Sequence, residues 1–553
     1  MERFPGYPLP LGVSEYETYV NFAVEAEREE TCRLLLYRKG EAVPEETILF
    51  PETNVVGNVH FLALPKEKAE GREYQYEIGG QIVIDPHATS VLQVGEGNAR
   101  SRVLEDSYDW EGDKPLELPY NEVIAYSLHV RGFTKHRTSK VRAKGTFAGV
   151  VEKIPYLTEL GINQIQCMPV YAFCENPSYT NYWGYGDGFF FAPQNKYAVG
   201  DAVNELKDMV KACHKAGIEV VFHMPFTEHV TPQRIVECLQ YYVIAYHVDG
   251  FILNPMLISV AGVRRDPLLC RTKILEWKND FQDVMRRFLK GDAGMTEGVM
   301  WWLRQTTEES GSCNYMTNHS GFTMADLVSY ERKHNKANGE ENRDGTDLNY
   351  SWNCGVEGPT RKKSVLALRK RQVRNAFFML LLSQGTPCIL AGDEFGNTQG
   401  GNNNVYCQDN ETAWLNWNQL SKEKELFEYV RTLIALRREH GVLHEAKPLL
   451  GRDKTSCGVP DISFHGESAW QVPEGITNRQ LGVYYHREDE DCYVAYNMHW
   501  NPHTFALPAL PKGKKWYRVL STADDTFAPA RAAEKNQRAV EITERTIVLF
   551  VGR

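Results

Sequence analysis

The chain changes its hydrophobic rhythm twice. Up to about residue 115, short segments alternate apolar and polar positions: YVNFAVEA, CRLLLYR, VHFLAL and YQYEIGG, each bounded by Gly, Pro or charged residues. A period of two puts one face of a strand into a core and the other into solvent, so this stretch predicts a β-sandwich. DWEGDKPLELPYN, polar and Pro-rich, reads as a connection. Continuous apolar runs then alternate with segments of helical spacing. The runs are VIAYSLHV, INQIQCMPV, IEVVFHMPF and VDGFILN; the helical segments are TFAGVVEKIPYLTELG, AVNELKDMVKACHKAG and RIVECLQYYVIAYH. In the second of these, Leu206, Met209, Val210 and Cys213 share one face and Gly217 supplies a stop. Strands apolar on both faces and separated by helices predict a covered parallel sheet. The rhythm lasts to about residue 435, enough for a closed (β/α)8 barrel.

After LALRREHGVL the two-residue alternation returns. LGVYYHREDEDCYVAYNMHW reads as a hairpin with a charged turn, and RTIVLFVGR as a last strand. The expected architecture is therefore α/β: an N-terminal β-sandwich over 1–115, a (β/α)8 TIM barrel over 116–438 and a C-terminal β-sandwich over 439–553. Tyr484, Tyr493, Tyr496 and Trp500 lie near strand period. They read as core packing, with stacking on sugar rings as the alternative.

Composition narrows the field. The 553 residues carry 42% hydrophobic and 24% charged positions, an ordinary globular balance. A net charge of −10 argues against nucleic acid or an anionic membrane as partner. The start, MERFPGYPLP, lacks a basic region followed by an apolar run, and the longest strongly apolar run, Ala376 to Leu382, is far too short to span a bilayer. Twelve cysteines are scattered without a Cys-x-x-Cys pair or His partners at ligand spacing. No metal site, cofactor or disulfide framework is expected, and the setting is read as cytoplasmic and reducing.

Barrel enzymes carry their chemistry at the C-terminal ends of the strands. The first exit offers Ser127, His129 and Arg131; the loop after the second carries Asn181, Tyr182, Trp183 and Tyr185. The third ends in His223, Pro225, Thr227, Glu228 and His229, the fourth in Asn254, and NYMTNHSGF supplies His319 and Ser320. Positions 223, 225, 227 and 229 would share one face if the third strand stayed extended, making Glu228 with His223 or His229 a candidate acid–base pair.

At these exits the sequence resembles the glycogen-debranching, isoamylase-type branch of the α-amylase superfamily. The resemblance runs through LHVRGFTKH, GTFAGVVEKIPYLTELGI, NYWGY, HNKANGEENRDG, NYSWNCGVEGPT, SQGTPCILAGDEFGNTQGGNNNVYCQDN and AWLNW. It implies a starch-binding-type N-terminal module and retaining glycoside hydrolysis by two carboxylates about 5–5.5 Å apart. Carried over position by position, it also implies losses. The nucleophilic aspartate falls on Asn254 and its supporting arginine on Ile252. An amide is a poor nucleophile, and Pro255 disfavours conversion to aspartate by deamidation. The third carboxylate falls on Ser320. The aspartate, asparagine and histidine of the third strand fall on His223, Thr227 and Glu228. Glu276, in RTKILEWKND, aligns with a segment downstream of the general acid, so the acid and its loop are read as deleted. Only His229 to Gln233 replaces a long excursion over the cleft. Tyr185 and His319 match positions that contact the sugar beside the scissile bond. Trp183 is a further candidate contact, although with Asn181 it can equally serve as a structural anchor. Asp393 and Glu394 of AGDEFG belong to the scaffold in that family.

Three classes of function follow: a non-hydrolytic α-glucan-binding relative, with an active debranching enzyme as a candidate partner; a hydrolase with relocated residues; and an interaction protein that binds no sugar.

Overall fold

The computed structural model describes the chain except residues 1–3, 5, 94–98, 106, 175–177, 455, 473–474, 512 and 525–531. At the N-terminal end two antiparallel sheets face each other. One orders Gly12–Glu15, Tyr19–Glu25, Val59–Pro65 and Val55–Val56; the other is built around Cys32–Tyr37 and Glu73–Ile78. Phe22, Val24 and Leu62 from the first meet Leu34, Leu36, Tyr74 and Tyr76 from the second in one core. The alternation read in YVNFAVEA and YQYEIGG produces these inward rows.

The barrel strands are β1 (Ala125–Leu128), β2 (Gln164–Cys167), β3 (Glu219–His223), β4 (Gly250–Leu253), β5 (Lys273–Glu276), β6 (Asn314–Tyr315) and β7 (Pro387–Leu390). They form one parallel sheet in the order β5-β4-β3-β2-β1-β7-β6. The ring is of (β/α)8 type. Between its end strands irregular backbone completes it, and Glu276 N–H donates to Gly311 O at 2.8 Å. The helices outside include α1 (Ala202–Lys215), α2 (Pro232–Tyr246), α3 (Asp280–Lys290), α4 (Lys363–Leu381) and α5 (Lys424–Glu439). Asp201 caps α1, its carboxylate accepting from the N–H groups of Val203 and Asn204. The segment TFAGVVEKIPYLTELG, expected as one helix, is two: Phe147–Val151 and Ile154–Leu160. Pro155 in the first turn of the second helix has no N–H to continue the ladder, so a break precedes it.

Inside the ring the side chains stack in layers. Lys273 and Glu219 form a buried ion pair at the floor, and Gln164 Nε2 donates to Glu219 at 2.8 Å. Gly250 makes the room: a Cβ there would lie 2.7 Å from Lys273 O and 2.8 Å from its Cβ. Val221, Ile252, Leu275, Cys313, Tyr315 and Cys388 fill the middle. C-terminal to the barrel, a five-stranded antiparallel sheet orders Ile462–His465, Gln480–Arg487, Glu490–Asn497, Thr546–Gly552 and Trp516–Ser521. A two-stranded sheet of His503–Ala506 and Ala539–Ile542 packs on it. Tyr484, Tyr493 and Tyr496 are buried in these cores, while Trp500 is 56% exposed and lies under the Arg479 guanidinium. None of the twelve cysteines is in a disulfide, and among the described residues no helix is long and apolar enough to cross a membrane.

Candidate functional site

The top layer of the barrel lies at the strand ends. His223 continues the inward row of Glu219 and Val221 on β3, and Trp277 continues the row of Lys273 and Leu275 just past β5. The two rings stack, with centroids 5.1 Å apart and planes 9° from parallel. His319, from the loop after β6, packs on Trp277 at 4.8 Å and edge-on to Trp183 at 5.0 Å. Tyr185 joins the two histidines: its Oη lies 2.6 Å from His319 Nε2 and 3.2 Å from His223 Nδ1. One hydroxyl proton serves only one of these nitrogens, so the other ring must donate its own N–H to the oxygen.

Burial sets the charge of this cluster. Removal from water pushes His223 down to about 4. It holds His319 well below the ordinary imidazole range, with repulsion from His223 and His129 adding to it. Both rings are neutral at neutral pH. His319 Nδ1 is buried without a hydrogen-bond partner. Beside His319 and Trp183 lies a cavity of about 50 Å³, lined also by Ser127, His129 and Met168 among others, and no lining residue carries a carboxylate. That is space for a water or two, against roughly 300–1,000 Å³ in a small-molecule site.

The other sequence candidates lie around this cluster. Ile252 is buried in the middle layer with Val221 and Leu275. Asn254 is exposed, and its Oδ1 accepts from Met256 N–H at 3.0 Å in a turn that leads away from the strand. Ser320 donates its hydroxyl to Asn318 Oδ1 at 3.1 Å. Glu228 and His229 are exposed, and His229 Nδ1 is 3.2 Å from Asp187 Oδ1, the carboxylate that Thr227 Oγ1 also reaches. Positions 223 to 229 do not share one face. The strand ends at His223, after which Phe226 N–H folds back to Met224 O and Val230 N–H to Thr227 O, so His223 is buried while Glu228 and His229 are not. Only residues 224–231 connect β3 to α2.

Glu276 ends β5, paired across from Leu253, but it points away from the ring interior and binds Lys278 at 2.7 Å. Trp183 is buried with Met168, Tyr182, Val405 and Ala413. Asn181 holds the loop, donating to Cys174 O and Tyr185 O and accepting from Gly184 N–H. His129 Nε2 lies 2.7 Å from Tyr182 O, and Arg131 Nε reaches both oxygens of Asp409 at 2.8 Å. Asp393 and Glu394 are fully buried, and burial raises them to about 8 and about 7. Each is held internally, Asp393 by Thr317 and Met324 N–H, and Glu394 by Tyr126, Tyr156 and Gly392 N–H. Sequence reasoning missed Trp277 as a site residue; its parity with Leu275 on β5 was the signal. Elsewhere, His440, Glu490 and Cys492 bring three donor atoms within 4.8 Å. His440 Nδ1 lies 2.6 Å from Glu490 Oε1, and burial raises the Cys492 thiol well above its usual range.

Comparison with known proteins places this barrel. Residues 128–233 match the family model of the alpha-amylase catalytic domain. Chloroplastic isoamylase 1 of Arabidopsis thaliana is 31% identical over 676 positions, covering 94% of this chain and 85% of the relative. The chain belongs to the isoamylase-type branch of the α-amylase family. A glycogen operon protein GlgX homolog of Mycobacterium tuberculosis (strain ATCC 25618 / H37Rv) is 31% identical, covering 83% of this chain and 82% of its own length. Pullulanase from Bacillus acidopullulyticus superposes with a TM-score of 0.73 at 18% identity, over 98% of this chain and 75% of that one. The alignment with the Arabidopsis isoamylase is longer than the 553 residues of the whole chain, so that isoamylase carries substantial insertions relative to it.

Proposed function

We propose that this member of the isoamylase-type branch binds α-glucan without hydrolysing it. The observation that carries the reading is the ring cluster at the strand ends: Tyr185, His223, Trp277 and His319 pack together there, and the cavity of about 50 Å³ beside His319 and Trp183 has no carboxylate in its wall. Retaining hydrolysis needs a nucleophile and an acid about 5–5.5 Å apart on either side of a bound sugar. On the family resemblance the nucleophile position is Asn254, the supporting cation Ile252 and the third carboxylate Ser320. Glucan binding draws support from structural neighbours, one of them a pullulanase from Paenibacillus barengoltzii solved with maltohexaose and alpha-cyclodextrin.

A second reading, α-1,6-glucan debranching with relocated carboxylates, draws on the relatives that bear the name isoamylase. One experiment separates the two. Glycogen is incubated with a high concentration of the protein, new reducing ends are counted, and Glu276→Gln and Glu228→Gln proteins run in parallel. The proposal expects no release above the variants, together with retarded migration of the protein in a glycogen-containing native gel. Sustained release that either substitution abolishes would replace it with the second reading.

A further inference from the structure

The C-terminal sandwich sets a thiol, an imidazole and a carboxylate in line. LGVYYHREDEDCYVAYNMHW folds as the expected hairpin, Gln480–Arg487 against Glu490–Asn497, and its register puts His486 directly opposite Asp491. Both side chains are buried, and His486 Nδ1 lies 2.7 Å from Asp491 Oδ1. The same carboxylate accepts from Tyr484 Oη at 2.6 Å and from Lys514 Nζ at 2.6 Å. Burial pushes its pKa up, yet Lys514, Tyr484 and His486 together outweigh that and hold Asp491 below the usual carboxylate range. An ionised Asp491 fixes the imidazole proton on Nδ1 and leaves Nε2 as an acceptor. At 3.3 Å from that Nε2 lies Sγ of Cys457, an exposed residue.

The loop that brings the thiol there is pinned from within. Asp461 accepts from the N–H groups of Leu450, Gly451 and Arg452 and pairs with Lys454 at 2.8 Å. Asp453 accepts from Cys457 N–H at 3.3 Å and from Gly458 N–H at 2.6 Å. The thiol's other neighbours, Val459 O at 3.7 Å and Asp453 Oδ1 at 3.9 Å, are farther away than the imidazole. A thiol, a base and an orienting carboxylate in this order form the arrangement that activates a sulfur nucleophile. Acyl transfer would also need free backbone donors beside the sulfur, and Asp453 occupies the N–H groups of both Cys457 and Gly458. Thiol–disulfide exchange needs only a deprotonated sulfur and access to it.

We propose that Cys457, with His486 as its base, is a covalent modification site that takes up a low-molecular-weight disulfide. Cys457 Sγ attacks one sulfur of the reagent while its proton passes to His486 Nε2. The Cys457 S–S bond forms as the reagent's S–S bond breaks, and the leaving thiolate takes the proton to depart as a free thiol. Cys457 is oxidised, the departing sulfur is reduced, and the imidazole ends neutral. The test incubates the full chain at pH 7 with bis(2-hydroxyethyl) disulfide, an uncharged probe, and maps adducts to residues over time by mass spectrometry. Cys174 and Cys270 are also exposed and serve as references inside the same molecule. Cys457 should react about fivefold or more faster than Cys270, a scale set by thiolate fraction traded against intrinsic nucleophilicity. His486→Gln should bring Cys457 down to the rate of Cys270 and leave Cys174 and Cys270 as they were. Equal rates at the three exposed thiols of the parent would overturn the proposal without recourse to any variant. An unchanged Cys457 rate in a His486→Gln protein whose melting profile matches the parent would overturn it too, leaving an exposed thiol without a base.

Discussion

Acid should loosen the barrel through its two buried histidines, and the size of the effect follows from the site. In the unfolded chain His223 titrates near the ordinary imidazole value of about 6.5. In the folded protein, burial against Trp277 and Tyr185 lowers it to about 4. Its folded value is the lower one, so below pH 6.5 the unfolded chain binds the extra proton. The stabilisation is complete above pH 6.5 and is lost as pH falls toward 4. The loss from this one group reaches about 2 kcal/mol at pH 5 and about 3 kcal/mol at pH 4. Burial also holds His319 well below the ordinary imidazole range, which adds a loss of the same sign as pH falls below about 6.5. The assay is urea unfolding at pH 7 and pH 5, followed by tryptophan fluorescence of the barrel transition, for the parent and for His223→Gln. The parent should lose about 2 kcal/mol more than the variant between the two pH values. Equal losses would refute the reasoning, because they would mean that His223 is already protonated in the fold or never leaves water.

Two further outcomes follow from the same geometry. Tyr185→Phe removes the hydroxyl shared by His223 Nδ1 and His319 Nε2 and strands buried ring nitrogens; it should cost about 1–3 kcal/mol in urea unfolding, and unchanged stability would show the mouth to be wetter than described. Lys273→Met leaves the Glu219 carboxylate buried at the barrel floor without its cation; it should cost about 3–5 kcal/mol, and adding Glu219→Gln should restore most of that.

The order of elements was legible because each carries a local signature. Parallel strands covered on both faces appear as unbroken apolar runs, and IEVVFHMPF and VDGFILN gave up β3 and β4 on that ground. Boundaries that depend on backbone chemistry were less legible. The expected single helix over TFAGVVEKIPYLTELG divides ahead of Pro155, a break visible only to a reader who weighs one missing N–H above helical spacing. The site was legible as a set of residues and not as an arrangement. His319 and Tyr185 are 134 residues apart, and nothing local to either says that they share a hydrogen bond. Trp277 shows the limit most clearly. Side chains on a strand alternate, so a shift of one residue decides whether Glu276 or Trp277 faces the ring, and only the register with β4 settles it. The polar floor was hidden for the same reason, since Gln164, Glu219 and Lys273 meet from three separate strands.

The stacked tryptophan at the mouth also bears on descent. A carboxylate placed at position 254 would enter a turn that faces solvent. An arginine at 252 would bury a charge between Val221 and Leu275. A small residue in place of Trp277 would leave His223 and His319 without the ring both of them pack on. Each change alone draws on a stability margin of about 5–15 kcal/mol. Neighbouring changes do not add independently, so on the proposed non-hydrolytic reading a gain of hydrolysis requires several at once. On that reading the packing at the top of this barrel acts as an evolutionary ratchet.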